Sequence, residues 1–417
     1  MPPLTTLAPL PRLFRVFWAG ETVSLLGSST SAVFVPLVAV VSLHATATWM
    51  GIITACTWLP WLVVGLPAGA WVDRLQPRRV MMTADLVAAA ASVSVPVAWL
   101  LGRLSLAQLV LVAFVSGTAS VFFRAAYPRL VRAVAADSDP ATAYGRLNGT
   151  ESFMQVAGPG LAGLLLTVVH AAVGLFLDAV SFLVSAFCLR RMPPVPAATD
   201  TPPPLRSRIA EGWRTLVHDP MLRFGTALGG ASNFGLTGYQ TLLVLFLVRT
   251  VGLSSSRVGL LLALGAVGGV AGAAIAPRLS RSLGSARSLR LLQLLAAPTA
   301  LLVPAAGLAQ GVLARALVVA GLFGVGLGVV GGNVVRSAFN QGYIPDEIRA
   351  RLVTSSAVVN YGTMPVAALA AGWLGTAYGL VVAMTVMAGI HAIACLAVLV
   401  GPYRSGRDLP TGQLTVR

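Results

Sequence analysis

The chain has 417 residues, of which 56% are hydrophobic and only 10% charged, with a mean hydropathy of +0.83. Soluble domains carry about a quarter charged residues, so this composition excludes them and requires a membrane protein with many spans. The net charge of +16 comes from 29 basic residues, all arginine, against 13 acidic ones. The arginines fall between apolar runs, so they set topology rather than form a nucleic-acid surface.

A spanning helix needs roughly 20 apolar residues, and the chain has room for about twelve. Spans are expected near 16–43, 48–71, 80–101, 106–128, 147–169, 171–190, 223–248, 256–277, 289–308, 312–336, 352–376 and 378–401. The N-terminus carries no short apolar region with a cleavage site, so the first run reads as a retained span. With that terminus inside, only Arg103, Arg249, Arg257 and Arg315 fall in outside connections. The bias of the remaining arginines to one side predicts that both termini are cytoplasmic. Abundant Ala, Gly and Arg without Lys points to a bacterial, high-GC source and to the cell membrane.

Span 1 carries Glu21 with Ser24, Ser28 and Ser31 at helical spacing, a polar face suited to a cavity. An acid inside the hydrocarbon costs roughly 2.5–3.5 kcal/mol on insertion scales, so it calls for a functional reading. Glu21 is a candidate proton carrier, with a bond to a neighbouring helix as the alternative.

After span 2 comes Gly69-Ala-Trp-Val-Asp73-Arg74-Leu-Gln-Pro-Arg78-Arg79. Two apolar segments joined by a short basic turn form a membrane hairpin with an inside loop. The pattern Gly-x-x-x-Asp-Arg-x-x-x-Arg-Arg resembles the loop between helices 2 and 3 of the major facilitator superfamily of transporters. Gln76 stands where the family usually has Gly. The resemblance implies an all-α membrane fold: twelve transmembrane helices in two pseudo-symmetric six-helix bundles. It also implies that Asp73 approaches the N-terminal end of span 11, near Arg351, where a helix terminus favours negative charge.

Asp85 and Glu151 lie near the inside ends of spans 3 and 5, at the level of Arg78, Arg79, Arg124 and Arg146. Together with Gly69, Asp73 and Arg74 they are expected to close the inside face as a charge network, that is, a conformational gate. Span 4 offers almost nothing polar before Arg124. The Arg that many proton-coupled members carry within span 4 is missing from this reading, which would shift coupling to Glu21 or Asp178.

Span 5 contains Gly158-Pro159-Gly160-Leu161-Ala162-Gly163, where Gly allows close helix contact and Pro a bend. It resembles the Gly-Pro-x-x-Gly-Gly signature of exporters, with Ala162 in place of one Gly. Asp178 in span 6 stands in Asp-Ala-Val-Ser-Phe, similar to the drug-exporter-like branch. It is the second proton-coupling candidate, with a structural bond to another span as its alternative.

Residues 191–221 separate a first half (1–190) from a second (222–417). The Pro-rich start reads as an extended linker. The rest places Ile209, Trp213, Leu216 and Val217 on one helical face, with Arg206, Arg208 and Arg214 around it. That predicts a helix lying on the lipid surface. The halves echo each other when shifted by about 205 residues, as a parallel repeat would. Pro277 stands where Asp73 does in the first copy.

By the resemblance, spans 1, 4, 7 and 10 line a cavity. Substrate contacts are then Ser24, Ser28, Asn233, Gln240, Asn333 and Arg336, with Asn360, Tyr361 and His391 as weaker candidates. A largely apolar cavity suits a small amphipathic or apolar molecule. The expected activity is secondary export by alternating access, driven by protons, from a monomer in the bilayer. Uptake by the same fold and a non-transporting sensor are the alternatives. His44, His170, His218 and His391 have no partners at catalytic spacing, so an enzyme is not expected. Cys56, Cys188 and Cys395 stand far apart without metal spacing. No nucleotide motif is present, and no cofactor is expected.

Overall fold

The computed structural model describes residues 11–136, 140–196, 205–404, 406–410, 412 and 414. Among these every regular element is a helix: α1 (Arg12–Leu37), α2 (Ala47–Val63), α3 (Gly65–Asp73), α4 (Pro77–Leu100), α5 (Leu106–Val134), α6 (Pro140–Leu165) and α7 (Ala171–Arg190) come first. Then follow α8 (Leu205–His218), α9 (Pro220–Arg249), α10 (Ser255–Leu283), α11 (Ser285–Ala305), α12 (Gly311–Tyr343), α13 (Asp346–Ala377) and α14 (Leu380–Leu396). Among the described residues, 10 helices are long and apolar enough to cross a membrane. The bent pair α2 and α3 makes an eleventh. The remaining expected span is α6. It is less apolar because Arg146, Asn148, Glu151 and Gln155 fall along its length.

Packing orders the helices in two matching arcs. In the first half the neighbours run α6, α1, α7, α4, α5, α2. In the second they run α13, α9, α14, α11, α12, α10, the same sequence of positions one repeat later. The arcs meet at their open ends, α2 against α13 and α6 against α10. Close approach needs small residues. A β-carbon on Gly51 of α2 would stand 2.7 Å from the Ala368 carbonyl oxygen of α13.

The apolar cores show which ends are joined. At the end away from the arginines one cluster spans both halves, with Phe34, Leu37, Met50 and Leu175 from the first and Leu242, Phe246, Ala371 and Met384 from the second. At the arginine-rich end the cores are separate. Phe14, Phe17, Met81 and Leu130 form one, and Leu289, Val335, Phe339 and Tyr403 form another. Here α3 and α13 hardly touch. The halves are sealed at one end and parted at the other.

Helix α8 corrects one expectation. Leu216 is buried with Leu222, Ile344, Ile348 and Leu352, so part of its apolar face packs on α9 and α13 rather than on lipid. Trp213, expected on the same face, is exposed. Gly212 explains the close seat: a β-carbon on it would stand 2.5 Å from Ser355 Oγ. The side chains of Arg206, Arg208 and Ile209 lie outside the described residues.

Candidate functional site

The first half contains a partly open polar cavity of about 130 Å³. Glu21, Ser24 and Ser28 line it from α1, Asp85 from α4, and Ser116, Ser120 and Arg124 from α5. Spacings of three and four residues put each set on one face of its helix. Glu21 and Asp85 are buried, at 7% and 3% exposure. Apolar walls come from Ala84, Ala88, Ala119, Phe123 and Phe182. A charge so placed is costly unless paired, which makes the cluster a functional candidate.

Arg124 reaches from this cavity to α6. Its Nη1 donates to Glu151 Oε2 at 3.3 Å, and its Nη2 forms an ion pair with Glu151 Oε1. The two bonds make a forked pair between planar groups. Arg146, on the same helix, sits instead over the Trp18 ring at 5.7 Å. The indole Nε1 of Trp18 donates to Thr150 Oγ1 at 2.8 Å.

These positions revise the expected gate network. Asp85 lies two turns inside α4, away from Arg78 and Arg79, and shares the cavity with Glu21. Span 4 extends to Val134, so Arg124 is a residue of the span interior and not of its end. The expectation that span 4 offers almost nothing polar before Arg124 is corrected: Ser116 and Ser120 line the cavity on the same face as Arg124. Arg124–Glu151 is the ion pair found among the described residues.

Asp73 makes no hydrogen bond or ion pair through its carboxylate among the described residues. Its expected partner, the start of α13, stands away because the halves are parted at this end. The corner is held by Arg129, which the expected gate does not include. Its Nη1 donates to the carbonyl oxygens of Val72 and Asp73 at 3.2 and 3.1 Å, and its Nη2 to Pro196 O at 2.6 Å. A cation on the last carbonyls of α3 satisfies groups that the helix end leaves open. Arg78 Nη1 donates to Met192 O at 2.7 Å, tying the same corner to the linker. Gly69 has open space where a β-carbon would project.

Asp178 is placed differently from Glu21. Ser92 Oγ of α4 donates to its Oδ2 at 3.1 Å, and Ser31 of α1 faces it. A β-carbon on Gly27 would stand 2.9 Å from Asp178 Oδ1. The residue therefore sits in the contact of α1, α4 and α7 and is absent from the cavity lining. In α6, Gly158 and Gly163 act at contacts: added β-carbons would stand 2.2 Å from Ser29 Cβ and 2.4 Å from the Gly259 carbonyl carbon. The helix continues through Pro159 without a break.

In the second half, Asn233 Nδ2 of α9 donates to Asn360 Oδ1 of α13 at 3.0 Å. On α12, Arg336 Nη2 donates to Asn333 Oδ1 at 2.7 Å. A β-carbon on Gly229 would lie 3.1 Å from Asn360 Oδ1 and 3.5 Å from Arg336 Nη1, so the four side chains share one region. Gln240 is exposed two turns away on α9 and is not brought into this group. His391 is a packing residue, its Nδ1 3.0 Å from Ser232 Oγ. Tyr361 stacks on Trp58 of α2, with centroids 5.9 Å apart, and meets Trp61 in a tilted contact at 4.9 Å.

A sequence model of the Major Facilitator Superfamily matches residues 17–353. The chain belongs to the Major Facilitator Superfamily. Solved structures of similar fold cover nearly all of this major facilitator. The nucleoside transporter NupG superposes with a TM-score of 0.74 at 11% identity, over 93% of this chain and 98% of that one. A bacterial homologue of the iron transporter ferroportin, in an inward-facing state, gives 0.71 at 18%, over 92% and 98%. A bacterial homologue of the lysosomal transporter Spinster, inward-facing and unoccupied, gives 0.66 at 15%, over 92% and 95%. No curated protein matches. At these identities the likeness establishes the fold alone. The substrates named for the neighbours differ, so the fold alone assigns none.

Proposed function

We propose that this major facilitator exports a small amphipathic or apolar molecule by alternating access, coupled to proton influx, as a monomer in a bacterial cell membrane. The arginine-rich end is cytoplasmic, with both termini on that side. The form described here is then open to the cytoplasm, parted at the Asp73 corner and sealed where α2 meets α13 and α6 meets α10.

One observation carries the coupling: the buried acids Glu21 and Asp85 share a polar cavity in the first half with Arg124. Two acids and one cation that already holds Glu151 leave room for a proton to come and go. Each proton moved inward across ~100 mV supplies about 2.3 kcal/mol from the potential alone. The substrate is met by Ser24 and Ser28 from α1 and by Asn233, Asn333 and Arg336 from the second half. Export is supported by the likeness of the Gly158-Pro159 and Asp178 motifs to exporter signatures.

The test is efflux of lipophilic fluorescent compounds from loaded cells or everted vesicles, with and without a proton uncoupler. Uncoupler-sensitive efflux by wild type that is lost in Glu21→Gln supports the reading. Accumulation by the wild type in cells, in place of efflux, overturns export; efflux indifferent to the uncoupler overturns proton coupling.

A further inference from the structure

Helix α5 has two lined faces. Ser116, Ser120 and Arg124 look into the polar cavity, while Phe114, Thr118 and Phe122 lie on another side of the helix, in a separate groove. This groove has a volume of about 760 Å³, and α4 closes it with Val80, Thr83 and Val87. Below the rim residues Arg74, Gln76 and Arg79 its walls are apolar apart from two threonines, and Val87 and Phe114 are 42% and 40% exposed, so it opens sideways from the bundle. Val80 to Val87 spans about 10 Å along the membrane normal.

The rim of this apolar groove is cationic. Arg74 and Arg79 line it at the arginine-rich end and are exposed. Neither side chain has a hydrogen bond or ion pair among the described residues. Their neighbours differ: Arg78 is held by Met192 O and Arg129 by three carbonyls of the same corner and by Pro196 O. Two arginines are thus spent on the fold, and two are free above an apolar slot. Trp71, 56% exposed, stacks on Phe122 at the edge, with ring centroids 6.4 Å apart. Trp belongs at the level where acyl chains meet headgroups.

We propose that this groove is a binding site for an anionic phospholipid, one acyl chain lying between α4 and α5 and the phosphate on Arg74 and Arg79. The charge selects the occupant. Two unpaired cations at the headgroup level favour a lipid of net negative charge over a zwitterionic one, and the apolar walls demand a chain. Because both arginines follow closely on Asp73, a bound headgroup also occupies cations at the loop that joins α3 to α4.

The experiment is native mass spectrometry of the detergent-purified full chain, titrated with phosphatidylglycerol or phosphatidylcholine of identical chains. Wild type is expected to hold one phosphatidylglycerol preferentially. Arg74→Gln with Arg79→Gln is expected to weaken that binding about thirtyfold, as about 1 kcal/mol per arginine implies. Arg315→Gln, at the opposite end, should leave it unchanged. Thr118→Trp, which fills the slot while keeping both arginines, should also lower retention. Should the double variant fail to fold, brominated-chain phosphatidylglycerol must quench wild-type fluorescence more than that of Trp71→Phe, and more than the brominated phosphatidylcholine does. Equal retention of the two lipids by wild type, or unchanged retention in both groove variants, overturns the proposal.

Discussion

Gly163 of α6 and Gly259 of α10 touch backbone to backbone. A β-carbon on Gly163 would stand 2.4 Å from the Gly259 carbonyl carbon, and one on Gly259 would stand 2.2 Å from Gly163 Cα. The obstacle on each side is main chain, which cannot turn away as a side chain can. Gly163→Val should therefore push α6 and α10 apart and loosen the seal between the halves. In a background lacking the native cysteines, the expected result is faster labelling of Ala263→Cys by a membrane-impermeant maleimide added from that side. A gain of about tenfold corresponds to a population shift of about 1.4 kcal/mol. An unchanged rate would show that this contact is not part of the seal.

The same end is joined at a second point. Thr48 Oγ1 of α2 and Thr376 Oγ1 of α13 are 2.7 Å apart. Oxygens so close put two cysteines within reach of a disulfide, whose Cβ atoms sit about 3.5–4.5 Å apart. Thr48→Cys with Thr376→Cys, again without native cysteines, should crosslink on mild oxidation. Transport should stop and return with a reductant, because α2 and α13 must separate for the opposite opening. Full transport by the crosslinked protein would exclude this contact from the moving interface.

The bundle is legible in the sequence because hydrocarbon imposes one rule on every span: the backbone must satisfy itself, and charges must stay out. Glu21 and Asp178 stand out by breaking that rule. Two things are harder to read. Arg124 and Arg129 belong to a helix that runs on to Val134, but arginines near a span's end look the same whether they begin a loop or line a cavity. Leu216 meets protein in the structure, and nothing in an amphipathic pattern distinguishes a lipid surface from a neighbouring helix. Asp85 lies deeper than its place in the sequence suggests for a related reason: depth depends on where α4 begins, at Pro77.

The Arg124–Glu151 pair links α5 to α6 across the first half. Its side chains are 42% and 27% exposed, so the pair is neither solvated nor dry. Glu151→Gln should cost stability between the about 1 kcal/mol of an exposed pair and the about 3–5 kcal/mol of a buried one. Arg124→Gln should cost a similar amount, and the double variant less than the sum of both, as expected for groups in contact. Denaturation of the four proteins in one detergent measures this; strict additivity would mean that the two groups do not interact.

Glu21 and Asp178 are both buried acids, and their surroundings predict opposite outcomes. Glu21 lines the polar cavity beside Asp85 and Arg124. Glu21→Gln keeps the size and removes the exchangeable charge, so folding should hold while uncoupler-sensitive transport falls by roughly tenfold or more, about 1.4 kcal/mol. Asp178 is locked between helices by Ser92, and its other oxygen lies where Gly27 has no side chain. Asp178→Ala should lose that bond and leave Ser92 buried without it, costing about 1–3 kcal/mol of stability. Asp178→Asn retains an acceptor for Ser92 and should transport nearly as well as wild type. The discriminating measurement is transport per folded molecule, with folding judged by gel filtration and thermal denaturation. If Asp178→Asn abolishes transport in a well-folded protein while Glu21→Gln does not, the coupling group is Asp178 and the cavity assignment is wrong.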